Sequence, residues 1–389
     1  MDLKQEITLS DLFRRKGGEG KAAKPKKNAR ARKSHDGPQT IVGLELGTSQ
    51  IAAAVVTNNG GKRLVKLHRE SLPTGVMSGG EVRDPVALGV ALKDFFDRYE
   101  LPRKNIRLGL ANSRVGVRQI DVSDVDDQSQ LENAISFRAH EKLSIPIDES
   151  VMDYRVVEEA PSTEGAVNRS VVVTVAYRES IDRYLTATST AGLDVMGIDF
   201  EAFALLRALS EPAAPMGEQP ETAVVAVCVG HERTTLAVSD GAVCSFARVL
   251  DWGGANLTNA VARGAKISPA EAEEVKRQLS LDPDAKAPTS LSSEGAEEAL
   301  HAVKVELQVL VRELLSSLRF YQSQPGSLAL REILLSGGTT AMPGFAAELE
   351  RELGVQVVTG DPLCRVAADV EVPEELGSFA VAIGLGIED

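Results

Sequence analysis

One short pattern occurs twice, about half a chain apart, and it constrains the fold more than any other feature. IVGLELGTSQIAAAVV begins at Ile41 and VVAVCVGHERTTLAVS begins at Val224. Each reads as an apolar strand, a tight turn at glycine (Gly47, Gly230) with hydroxyl residues close by, and a second apolar strand. A glycine between two strands lets backbone N–H groups approach and wrap an anion such as a phosphate. Thr48 and Ser49 supply the hydroxyls in the first copy, Thr234 and Thr235 in the second. A single strand-glycine-strand hairpin is also simply a common turn. Two copies of one polarity predict two similar half-domains gripping one polyphosphate from both sides.

At 389 residues the chain exceeds a single compact core and predicts two or more subdomains. Its formal charge of −13 is unevenly spread. Residues 1–40 hold 11 Lys/Arg against 5 Asp/Glu, which leaves 32 against 51 beyond Thr40, a balance of −19. So acidic a body does not suit a nucleic-acid-binding surface. Cys228, Cys244 and Cys364 stand far apart with no CxxC, which argues against a disulfide framework or zinc site and fits a reducing cytosol. The N-terminus lacks a signal peptide's apolar core, and no run reaches the roughly 18 apolar residues of a membrane span. These features read as a soluble, cytoplasmic protein.

Residues 1–38 read as a disordered basic tail, whose Leu3, Ile7, Leu9, Leu12 and Phe13 could form one short docking helix or simply fray. A first lobe follows over 39–102, holding the first hairpin and a helix over 85–99. Residues 103–199 form an α/β insert, with a helix over 130–143 that stops before Pro146. A crossing helix and a proline-rich linker occupy 200–220, and a second lobe runs over 221–389 with a small apolar helix at its end, returning to the first lobe. Alternating strands and helices make the class α/β.

Rival chemistries fail on spacing. Gly20-Lys21 is followed by Ala22 and has no strand before it, so it is no P-loop. There is no GxSxG, and the five histidines share no ligand or triad spacing, which makes them structural or surface residues. Three later segments extend the phosphate plan. Gly253-Gly254 precedes a helix, a natural phosphate contact. Glu273 and Lys276 lie one helical turn apart, placed either to bond ribose hydroxyls or to form an ordinary ion pair. Ser336-Gly337-Gly338 ends an apolar strand, where glycines let a flat base lie on backbone or simply make a turn.

In this order the segments resemble the actin-like ATPase superfamily, and within it the PilM family of type IV pilus assembly. The resemblance covers 40–388 and is most specific in LENAISFRAHEKLSIPIDESVMDYRVVEE, GLDVMGIDFEAFALLRAL and LLSGGTTAMPGF. It implies a two-lobe actin-like (ribonuclease H-like) fold with an inserted α/β subdomain, and ATP with Mg²⁺ as cofactor. It also implies a partner: the N-terminal cytoplasmic peptide of a PilN-like inner-membrane protein, held in a groove beside the insert, alongside other pilus assembly components. Membrane contact would be indirect, at the inner face of the cytoplasmic membrane. The helix over 130–143 is the candidate groove wall. FtsA, a division protein of the same superfamily, ends in an amphipathic membrane helix that GLGIED does not supply.

Two positions depart from the family pattern. Each phosphate loop of the superfamily carries Asp-x-Gly, whereas here Glu45 and Cys228 hold those places. The two aspartates help hold Mg²⁺ through its waters, so Glu45 is at best a weak metal contact and a thiol a poor one. Slow or absent turnover is expected, with nucleotide bound. Glu201 either orients a water at the cleft or simply favours a helix N-terminus. An FtsA-like division protein and a sugar or metabolite kinase of the same fold are the alternatives, the kinase disfavoured by the altered acids at 45 and 228.

Overall fold

The computed structural model describes residues 40–388 apart from 124–127, 143–145, 147–148, 162–166, 212–220, 241–243 and 286. The expected basic tail, its docking helix and most of the linker lie outside the described residues.

The chain opens with β1 (Thr40–Leu46), β2 (Gln50–Thr57) and β3 (Arg63–Ser71), an antiparallel meander. A small hairpin, β4 (Met77–Ser78) and β5 (Glu81–Val82), leads into α1 (Pro85–Arg98). The start of α1 is dictated locally: Asp84 accepts the Val86 and Ala87 N–H groups and Pro85 sits at the first helical position. β6 (Ile106–Leu110) then runs parallel to β1. The insert follows as β7 (Val115–Val122), α2 (Gln128–Lys142), β8 (Ser150–Pro161), β9 (Val167–Tyr177) and α3 (Arg178–Thr190). Its three strands form their own sheet in the order β7-β9-β8, with Leu131, Ile135 and Ala139 of α2 packed on it.

β10 (Val195–Phe200) rejoins the first sheet, and α4 (Glu201–Leu209) crosses to the second half. There β11 (Thr222–Val229), β12 (Thr234–Ser239) and β13 (Cys244–Leu250) form a second meander. α5 (Gly254–Ala265), α6 (Pro269–Gln278) and α7 (Ser293–Gln322) cover it, before β14 (Ala329–Ser336), α8 (Phe345–Leu353), β15 (Val357–Thr359) and β16 (Ala367–Ala368). The chain closes with α9 (Ala380–Gly386).

The sequence repeat extends to whole sheets. The first contains the strand order β3-β2-β1-β6-β10 and the second is β13-β12-β11-β14-β15, each an antiparallel meander continued by two parallel strands. The strands bearing the repeat are almost wholly apolar because both faces of each sheet are covered. On the first sheet, α1 and α3 cover one face and α9 the other. α4 and α9 share a third core with the inner face of β11 and β12, so these two short helices fasten the halves together. Their backbones touch: a Cβ on Gly384 would stand 1.8 Å from the Ala204 carbonyl oxygen, and one on Gly43 would stand 2.0 Å from that of Ala382. Buried Arg107 donates to the Leu385 and Ile387 carbonyls at 3.1 and 2.8 Å, closing the open end of α9.

Candidate functional site

The two glycine turns are built alike. Gly47 N–H donates to Gln50 O at 2.9 Å, and Gly230 N–H donates to Arg233 O at 2.9 Å. Strand register makes Glu45 the counterpart of Cys228, facing Ala52 and Thr235 respectively. Thr48 and Ser49 correspond to His231 and Glu232. The backbone N–H groups of these four turn residues have no hydrogen-bond partner among the described residues. Free backbone amides are what an anion needs.

That register corrects the expected second hydroxyl pair. Thr234 and Thr235 lie in β12 rather than in the turn, and both are buried. Thr234 donates its hydroxyl to the Trp252 carbonyl at 2.8 Å and so leaves the site; Thr235 stays beside Cys228 on the inner face. His231, set aside with the other histidines, stands in the turn itself.

Beneath the turns, Glu45, Glu201 and Cys228 meet. Glu201 opens α4 and lies against Gly109, where a Cβ would come within 3.0 Å of its Cγ. The glycine in β6 therefore makes room for this carboxyl, a signal that a strand glycine carries in sequence. Glu45 Oε2 is buried with no hydrogen-bond partner among the described residues. Burial pushes the Glu45 carboxyl from the usual 4.5 up to about 7, with the Ala382 backbone holding it partly back. Burial, and then the charge of Glu45, push Glu201 well up too. The Cys228 thiol is likewise driven up by burial and by both carboxylates, so it stays protonated.

A pH dependence follows. Between about pH 4.5 and 7 the folded chain keeps a proton on Glu45 that the unfolded chain has released. Stability therefore falls as pH rises through that window, by about 3 kcal/mol on account of Glu45, and Glu201, raised further, carries a decline of its own to higher pH. Denaturant unfolding from pH 4.5 to 8 should show this slope in the wild type and a flatter profile in Glu45→Gln. Equal slopes would remove Glu45 as its source.

The second half supplies the remaining expected residues, with much of their bonding already internal. Gly254 N–H donates to the Gly230 carbonyl at 2.9 Å and Ala255 N–H to that of His231 at 2.7 Å. Gly253 N–H is taken by Asn256 Oδ1 at 3.1 Å. The pair Gly253-Gly254 thus seats the second turn on α5, and those amides do not present themselves to a phosphate as expected. Lys276 Nζ meets Glu273 at 2.7 Å, Thr258 Oγ1 at 2.8 Å and the Gly254 carbonyl at 3.3 Å. Three acceptors match the three N–H bonds of an ammonium, so Glu273 and Lys276 act on each other. Gly337, at φ +100°, passes so close that a Cβ would stand 2.3 Å from the Val229 carbonyl. Beside it, a Cβ on Gly338 would meet its nearest atom, Ser378 Cβ, only at 3.8 Å, and Thr339 donates to the Gly230 carbonyl at 2.9 Å.

A clasp joins the two halves at the second turn. Glu232 accepts the Gly79 N–H at 2.7 Å, and Arg233 donates to the Gly79 carbonyl at 2.9 Å while pairing with Asp251. Gly79 and Gly80 both have positive φ (+61° and +69°), as a two-residue hairpin demands, and Tyr184 donates to the Gly80 carbonyl at 3.0 Å. The Gly-Gly pair was the available signal for this hairpin.

A second feature lies at the seam between the insert and the first sheet. A depression of about 460 Å³ is lined by Glu149, Tyr177, Arg178, Glu179, Asp182 and Arg183, among others. A smaller one of about 160 Å³ adjoins it, sharing Glu179 and Arg183 and adding Glu81, Val82, Arg83 and Arg114. Together they form a trough beside the insert; among the described residues, none of α2, the expected groove wall, lines either depression.

Two repeated sheets fastened by crossing helices, with paired turns over a common floor, define an actin-like protein. A family model described as type IV pilus assembly protein PilM matches residues 43–389, and the chain belongs to that family. A solved PilM-PilN type IV pilus biogenesis complex is similar at 28% identity and TM-score 0.73, over 89% of this chain and 97% of that one. MreB5 of Spiroplasma citri bound to ADP shares the fold at 12% identity and TM-score 0.52, over 89% and 94%. Cell division protein FtsA of Escherichia coli K12 is 24% identical over 361 residues, 83% of this chain and 84% of its own. No described helix is long and apolar enough to cross a membrane.

Proposed function

We propose that this chain is a nucleotide-binding scaffold of type IV pilus assembly that holds the cytoplasmic N-terminal peptide of a PilN-type inner-membrane protein and turns nucleotide over slowly or not at all. The observation that carries the nucleotide reading is the pair of equivalent turns from opposite sheets with their four central amides free, above a shared floor. Thr48 and Ser49 add hydroxyls on one side, and Gly337 and Gly338 leave a bare strand end on the other. The donor set fits phosphate.

It does not fit a resident Mg²⁺. Where the fold needs a second hard oxygen donor, from the second sheet, it has a protonated thiol. Without that ion, the groups left beside a terminal phosphate are two carboxyls that burial pushes toward the neutral form, which supply little to stabilise a leaving phosphate. Glu201 remains the candidate to orient a water. A nucleotide that props the two halves in position is therefore the role proposed, at the inner face of the cytoplasmic membrane through the partner.

The trough is the proposed peptide site, supported by its place beside the insert and by the family's PilM-PilN complex. Arg183 stands where its two parts join, donating to the Val82 carbonyl at 3.3 Å and to Glu179 at 2.8 Å. Arg183→Glu should weaken binding of a synthetic peptide copying the cytoplasmic N-terminus of the PilN-type protein by about tenfold or more, read by fluorescence anisotropy. Nucleotide affinity and melting temperature should stay unchanged. Undiminished peptide binding would move the partner elsewhere.

A further inference from the structure

We infer that the second turn makes this cleft prefer a nucleoside diphosphate to a triphosphate, with Glu232 setting the preference. The inference rests on the nucleotide reading above and specifies its ligand.

The two turns match in backbone but not in charge. The first offers the neutral pair Thr48 and Ser49, whereas the same positions of the second are His231 and Glu232. Glu232 is not a loose surface acid that can swing away. Its carboxylate is held across the halves by the Gly79 N–H at 2.7 Å. Gly79 is in turn fixed by Arg233, and a Cβ there would come within 2.6 Å of that guanidinium. The hairpin beneath is held by Tyr184 on the Gly80 carbonyl.

The cations nearby are committed elsewhere. Arg233 is engaged by Gly79 and Asp251, and Lys276 by Glu273, Thr258 and the Gly254 carbonyl. A polyphosphate held by both turns brings its last group beside Glu232 and above Glu45 and Glu201. A third phosphate adds negative charge at that end, where Arg233 and Lys276 are already paired and the Cys228 thiol does not suit a divalent ion. A diphosphate keeps the amides of the turns and meets less of this repulsion.

The test measures ADP and ATP affinities of the full chain by isothermal titration, first without divalent ions and then with Mg²⁺. The wild type should bind ADP about tenfold or more tightly than ATP, and Mg²⁺ should not reverse the order. In Glu232→Gln the amide oxygen still accepts from Gly79, so the clasp and the melting temperature persist while the ADP/ATP ratio falls to about threefold or less. ATP bound as tightly as ADP by the wild type, or an unchanged ratio in the variant, overturns the selectivity and leaves the nucleotide reading standing. Absence of binding by either nucleotide overturns both.

Discussion

Gly384→Ala is expected to abolish the folded state. The added methyl would sit 1.8 Å from the Ala204 carbonyl oxygen and 2.5 Å from its carbon, both backbone atoms of α4. A flexible side chain can swing aside, but a helix backbone moves only as a unit. To accept the methyl, α4 and α9 must separate, and both cores that α9 seals must open, one toward β11 and β12 and the other toward β2 and β3. Overpacking of this kind costs about 3 kcal/mol or more, a large share of the roughly 5–15 kcal/mol that holds a domain folded. Gly338→Ala is the control, because its new methyl finds the nearest atom at 3.8 Å, ordinary contact. Circular dichroism and thermal melting should show Gly384→Ala unfolded or aggregated and Gly338→Ala close to wild type. A Gly384→Ala melting point within a few degrees of wild type would show that the helices do not cross at backbone contact.

The second large effect concerns the departure at position 228. Cys228→Asp places a third carboxyl beside Glu45 and Glu201, both already driven up by burial, the latter also by the charge of Glu45. Without divalent ions the variant should lose about 2–4 kcal/mol, since a buried acid must either stay protonated or repel its neighbours. With millimolar Mg²⁺ and ADP it should recover most of that loss and bind nucleotide at least about tenfold tighter than without the ion. Wild type should show little dependence on Mg²⁺. Cys228→Ser separates charge from size and should behave like wild type. Thermal melting across a Mg²⁺ titration reads all three, and parallel curves for Cys228→Asp and wild type would mean that position 228 is not what excludes the ion.

Much of the architecture was legible because the repeat carried it. A strand-glycine-strand pattern seen twice predicts two related sheets, and apolar runs such as Ile51–Val56 predict strands covered on both faces. The crossing helix expected within 200–220 is α4 (Glu201–Leu209), where Glu201 and the run of Ala and Leu are strong helix signals. The meeting of Glu45, Glu201 and Cys228 was half legible: the departures from Asp-x-Gly stood out, whereas Gly109, the residue that admits Glu201, looked like any strand glycine. Hydroxyl side chains misled. Thr234 sits near Gly230 in sequence, but strand pairing sets it opposite Val229 and Leu250 and its hydroxyl donates to the Trp252 carbonyl, and only the register decides between turn and strand. Likewise Gly253-Gly254 reads as an open helix start until the second turn is seen resting on it. The clasp at Gly79 joins residues 153 apart in the chain, a separation that local pattern does not report.

The most direct measurement is amide hydrogen exchange on the full chain with and without saturating ADP. Thr48–Gln50 and His231–Arg233 come from different sheets, and a shared anion must slow both together while Val171–Val175 in the insert stays as it was. Coincident protection of the two segments is the predicted result. Protection of one without the other, or of neither while ADP is bound elsewhere, would contradict the claim that they close on a single ligand.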